Sequence, residues 1–266
     1  MQQDLIRLTS AVPGVAWSVC VRGGGEVLAQ VGSDRVLPTA SMGKVLLLLE
    51  VARRLDDGSL DADTRWHPDP DDLVGDSGLW QHLREPDLTI VSLAVLVAAV
   101  SDNLATNVLL RNVGMDSVAT MSRGLGIERT RLLDRIRDVR SPTDAAWPSE
   151  GCAADLSSLM ARIAHQDAVS ADVSARVARW LALDVDTSMV AGALGLDPLA
   201  HVDGPLSLFH KTGTDVGVRA DAGHVDGPAG SCSYAVLTHW DTAILAADEV
   251  LGAMRSIGEL IRERVA

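Results

Sequence analysis

The chain has 266 residues, of which 47% are hydrophobic and 22% charged, and a formal net charge of −13. That length suits one large globular unit or two interleaved ones, and the core must be aliphatic because Phe and Tyr occur once each. The negative balance argues against a nucleic-acid or anionic-membrane surface, since both need clustered Lys and Arg.

Residues 4–12 read as a short amphipathic helix. Residues 14–21 and 26–31 read as strands joined by a glycine hairpin, Arg22-Gly23-Gly24-Gly25. The middle of the chain is helical in period, at 41–55, 89–100, 104–113, 115–124, 153–165 and 171–183. Strand patterns return at 207–212, 216–225 and 231–240, separated by turn signals, and 247–265 closes as a long helix. Strands, then helices, then strands and a helix predict an α/β (α+β) fold. Its five-stranded antiparallel sheet, flanked by the terminal helices, comes from 1–38 and 184–266. An all-helical domain, 39–183, is inserted.

The apolar stretch 88–100 is interrupted by Thr89 and Ser92 and is too short to span a membrane. No basic region followed by an apolar run opens the chain. The sequence as written therefore predicts a cytoplasmic protein, or a periplasmic or secreted one if a leader has been removed. Cys20, Cys152 and Cys232 cannot all pair and lack metal-ligand spacing. Cys20 and Cys232 are expected as small buried strand residues, and the odd count favours a reducing compartment. His67, His82, His165, His201, His210, His224 and His239 form no H-x-x-x-H or H-x-H pair, so zinc is not expected.

Three short motifs carry the chemistry. The first is Ser41-Met42-Gly43-Lys44 at the start of a predicted helix. Residues i and i+3 share a helix face, so hydroxyl and amine can meet. A serine hydroxyl needs a base to act as a nucleophile near neutral pH, and a lysine serves only if burial or neighbouring charge lowers its pKa. The apolar run after Lys44 places it at the edge of a dry core. The second motif, Ser101-Asp102-Asn103, joins two apolar helices. Ser101 suits a proton relay, and Asn103 suits orienting Lys44 and a substrate carbonyl. The third, Lys211-Thr212-Gly213, lies on a predicted strand, with charge and hydroxyl for a substrate carboxylate and a glycine for close backbone approach. Thr214 N–H and Ser41 N–H suit an oxyanion hole. Each motif alone is common, as a helix start, an inter-helix turn or a strand end. Their order and spacing are not.

Together the motifs resemble those of the serine β-lactamase and penicillin-recognising superfamily, closest to class A, over nearly the whole chain. Further matches are Asn107 in Ser101-Asp102-Asn103-Leu104-Ala105-Thr106-Asn107, a gate-like Asp76-Ser77-Gly78-Leu79, and Leu133-Asp134-Arg135 opening an omega loop. In Gly217-Val218-Arg219, the arginine is implied to bind a substrate carboxylate. The resemblance implies a β-lactamase-like fold, Ser41 as nucleophile, Lys44 as base and a small acyl-bearing substrate. It implies no metal or organic cofactor.

The chain departs from the family at deacylation. Class A enzymes place a glutamate two residues after L-D-R, within an E-x-x-x-N context, to activate water. Here Arg137 takes the glutamate position and Ser141 the asparagine position, with Asp134 and Asp138 as the nearby carboxylates. Acylation is expected to survive, while deacylation without a placed base slows by roughly 10²–10⁴. The expected activity is a serine hydrolase of amides, β-lactams or esters. An acyltransferase or cyclase, a glutaminase-like amidase, and a penicillin-binding sensor without turnover are the alternatives.

Overall fold

The computed structural model describes residues 1–199, 204–243 and 246–266, so His201 lies outside the described residues. β1 (Val15–Gly23) and β2 (Glu26–Val31) form a hairpin whose turn holds Gly24 and Gly25 at φ 59° and 83°, a region side chains disfavour. β8 (Ser207–Asp215), β9 (Val218–Gly227) and β10 (Gly230–Trp240) form an antiparallel meander, and β10 pairs with β1. The sheet order is β2-β1-β10-β9-β8, so the first and last segments of the chain share one sheet.

The strand period splits the side chains between two cores. On one face, Trp17, Val19 and Val21 pack with α1 (Gln2–Ser10) and α8 (Ala247–Val265). On the other, Cys20, Ala220, Ala222, Ala235 and Leu237 meet the helical layer. The small alanines let α6 (Ala153–Ala164) lie close against β1, β9 and β10.

The helical layer adds α2 (Lys44–Asp56), α3 (Ile90–Val100), α4 (Asn103–Val113), α5 (Met115–Gly124) and α7 (Ala171–Leu181). α2 runs through its centre, with every residue from Lys44 to Ala52 buried. Side-chain caps start three of these helices. Thr89 accepts from Ser92 N–H, Asp102 from Ala105 N–H and Ser170 from Val173 N–H. Two small ladders brace the layer. One joins β3 (Leu37–Pro38), β7 (Ser149–Gly151) and β6 (Arg131–Leu132), and the other joins β4 (Arg65–Trp66) and β5 (Leu88–Thr89). Among the described residues no helix is long and apolar enough to cross a membrane.

Two of the boundary shifts bear on the site. The helix expected over 41–55 begins at Lys44, and Ala40–Gly43 is a 3₁₀ turn, because the chain enters through Ala40 in the left-handed region at φ 49°. The strands expected over 207–212 and 216–225 meet further along. Asp215 pairs with Val218, and Val216 and Gly217 are the turn itself, with Gly217 at φ 71°.

Candidate active site

Ser41 lies in the 3₁₀ turn at the head of α2, where residues three apart eclipse, so Lys44 projects to the same side. Packing from far along the chain holds this turn. Ser149 Oγ donates to Ala40 O at 2.6 Å and lies 2.8 Å from Thr39 Oγ1. Gly43 N–H donates to Ser149 Oγ at 3.4 Å. β8 presses on the turn from the other side. A Cβ at Gly213 would lie 2.3 Å from Thr39 O and 3.2 Å from Ser41 N, so only glycine permits this approach. A non-glycine residue at positive φ stores strain that surrounding contacts must hold, and Ala40 is such a residue immediately before Ser41.

Lys44 and Lys211 are the two lysines of the chain, and both side chains are fully buried. Lys44 Nζ donates to Ser101 O at 2.6 Å and to Asn103 Oδ1 at 2.7 Å, and lies 3.1 Å from Ser101 Oγ. Ser101 reaches it from the left-handed region, φ 54°, at the C-cap of α3. Burial, reinforced by the positive charge of Lys211, pushes the Lys44 pKa well below its usual value, against the pull of Asp102, Asp76 and Asp184. A neutral amine has two N–H groups and one lone pair. The two carbonyl-type oxygens take both N–H groups, and the lone pair is left to accept from a hydroxyl.

The cleft beside this amine has a volume of about 540 Å³, and Ser41, Asn103, Arg137, Asp138, Thr214 and Arg219 line it. Asn103 bridges inward and outward, because its Nδ2 donates to Gly75 O at 3.2 Å. Asp102, the middle residue of its motif, faces away from the cleft. Its Oδ2 accepts from Leu79 N–H (2.7 Å) and Trp80 N–H (2.8 Å). A Cβ on Gly78 would fall 2.5 Å from the Asp102 carboxylate.

Lys211 and Thr212 of the third motif are buried and engaged by the loop after α7. Lys211 Nζ donates to Asp184 Oδ2 at 3.2 Å, which also accepts Thr212 N–H at 3.2 Å. The physical reason is burial: a charged ammonium with no exposure requires a carboxylate partner. Thr214 and Arg219 do reach the cleft. The Arg219 guanidinium donates to Asp215 O (3.0 Å) and Val218 O (2.8 Å), lies 5.8 Å from the Trp240 ring centre, and has no carboxylate partner among the described residues. His210 points to the opposite face of β8, where Asp221 lies 3.2 Å from its Nδ1. Burial alone would lower the His210 pKa, but Asp221 outweighs it and raises it.

The omega segment offers Lys44 no carboxylate ion pair among the described residues. Asp134 accepts from Arg137 and Arg140. Burial raises its pKa, yet these bonds hold it below the usual carboxylate range. Asp138 lines the cleft, but its Oδ1 accepts Gly75 N–H at 2.9 Å. Asn107 grips the backbone of Ile136 in both directions, at 2.9 Å each way. Ser141 turns to Asp144 and Thr143. Ser149 and Asp184 carried no sequence signal, because their partners lie in segments distant along the chain. Asp102 was readable only as a cap.

This fold, with its three motifs gathered around one buried amine, is that of the serine β-lactamase-like superfamily. The chain belongs to the beta-lactamase enzyme family, whose model matches residues 2–265. It is similar in structure to a β-lactamase from Sphaerobacter thermophilus, with a TM-score of 0.85 and 22% identity over 99% of this chain and 98% of that one. PBP-A gives a TM-score of 0.84 and 23% identity over 98% and 94%. A β-lactamase from Burkholderia vietnamiensis gives 0.81 and 21% over 98% and 94%. No curated protein matches the chain.

Proposed function

We propose that the chain is a serine enzyme that takes up an acyl group on Ser41 from an amide, ester or β-lactam and releases it slowly to water. The observation that carries this reading is the Lys44 amine. It is buried and driven toward its neutral form, and it is bonded to Ser101 and Asn103 beside a cleft lined by Ser41. In the first step the Ser41 hydroxyl passes its proton to Lys44 Nζ while its oxygen attacks the substrate carbonyl. Ser41 N–H and Thr214 N–H stabilise the oxyanion. Lys44 then returns the proton through Ser101 Oγ to the leaving nitrogen or oxygen, and the acyl-enzyme remains. Arg219, with its guanidinium open to the cleft, holds a substrate carboxylate, while Lys211, Thr212 and Gly213 shape the wall behind the oxyanion site.

Slow release is our reading of the omega segment, where Arg137 takes the place of the family's glutamate, Asp134 is tied to arginines and Asp138 Oδ1 accepts from Gly75 N–H. A point mutant of PBP-A has been captured as an acyl-enzyme with penicillin G, which makes a long-lived adduct a reasonable outcome on this fold. The same feature favours, as a second reading, a sensor that acylates without turnover.

A fluorescent penicillin and a chromogenic cephalosporin test both. We expect a stable adduct on Ser41, seen by intact-mass spectrometry, with little chromogenic turnover. Labelling that persists in Ser41→Ala overturns the nucleophile assignment, and rapid cephalosporin hydrolysis overturns the slow-release reading.

A further inference from the structure

The cleft shares a wall with a second cavity. Val74 and Asp138 line both, and the neighbouring cavity holds about 460 Å³. Between them runs the hydrogen bond from Gly75 N–H to Asp138 Oδ1. The second cavity is a groove of mostly apolar residues, Pro68, Leu73, Trp80, Leu83, Pro86 and Leu104 among them. Leu73 is 65% exposed and Leu83 50% exposed, and the adjoining Leu79 and Val139 are exposed as well. Large apolar side chains clustered in water mark a binding surface more often than chance.

A loose loop would explain such exposure, but this segment is held. Asp102 takes the N–H groups of Leu79 and Trp80, Trp80 Nε1 donates to Glu85 O at 3.0 Å, and Asn103 holds Gly75 O. The groove is therefore formed in advance, and the side chains that form it stand on the residues that order the catalytic lysine.

We propose that this groove receives the apolar tail of the acyl group taken up by Ser41, so that the preferred substrates are amides or esters of a medium-length aliphatic or arylalkyl acid. The proposal rests on the reading of Ser41 as the acylated residue. Adjacency to the cleft names the occupant, because Val74 and Asp138 line both cavities, so their shared rim is the shortest way from a carbonyl at Ser41 to the groove. Charge narrows it further, since Glu85 and Asp138 on the lining repel an acidic tail.

Two measurements on the full chain test it. With p-nitrophenyl butyrate and octanoate, acylation should quicken by roughly two- to four-fold per added CH₂ until the groove is filled. Leu73→Ser and Leu83→Ser, at exposed positions that tolerate polarity, should each lower the octanoyl-to-butyryl ratio by about three-fold or more. A ratio near one, or a ratio that neither substitution moves, overturns the proposal. Calorimetry of Ser41→Ala with octanamide and butanamide removes the chemistry. Tighter binding of the longer amide, weakened by Leu83→Ser, supports the groove, and equal binding overturns it. If no ester acylates the unmodified protein while Ser41→Ala still prefers octanamide, the reading of Ser41 fails and the groove stands.

Discussion

In the proposed reaction, proton occupancy of one amine governs the chemistry at the residue scale. The Lys44 pKa is lowered by burial and then by Lys211, so acylation of Ser41 should rise with pH through that lowered value and level off above it. Lys211→Met removes the second cation and should move the midpoint of the labelling rate against pH upward. An unmoved midpoint would make burial the sole cause. The same shift acts on stability. Between the lowered native pKa and about 10.4, the unfolded chain holds a proton at Lys44 that the native chain lacks, so stability rises with pH across that window. Chemical denaturation at two pH values within it checks the sign. Because the chain has only two lysines, nitrogen NMR of a lysine-labelled sample reads the Lys44 titration directly.

At the scale of elements, β8 and the turn that carries Ser41 make one unit through Gly213. Gly213→Ala puts a methyl 2.3 Å from Thr39 O and must separate them. We expect a loss of about 1–3 kcal/mol in stability and a fall in acylation of ten-fold or more, read by stopped-flow labelling. Asp102→Ala should cost a similar ~1–3 kcal/mol, because it frees the N–H groups of Leu79 and Trp80 and removes the cap of α4. Much of this level was legible in the sequence. Helices α5 and α8 coincide with the predicted 115–124 and 247–265, because their apolar period is a local property. The spacing of Ser41 and Lys44 was legible for the same reason. The 3₁₀ turn was not, since Ala40 is held left-handed by contacts with Ser149 and β8 from more than a hundred residues away. Nor was the pairing of Lys211 with Asp184, which arises only when the loop after α7 meets β8.

Across the whole molecule, one sheet separates two cores that do different work. The helical side carries Lys44, Ser101 and Asn103, while α1 and α8 back the sheet from the other side. Damage to the back should therefore weaken folding without altering the chemistry. Ile257→Ala, deep in α8, should cost about 2–5 kcal/mol in denaturant unfolding yet leave the labelling rate of the folded protein unchanged. The buried thiols offer a way to watch the two sides separately. Cys20 belongs to the helical-side core, Cys232 to the back, and Cys152 precedes α6, all three unpaired and shielded from water. An alkylating reagent added to the native protein becomes a clock. The order in which the three sulfurs acquire adducts tells whether the halves breathe together or one opens before the other.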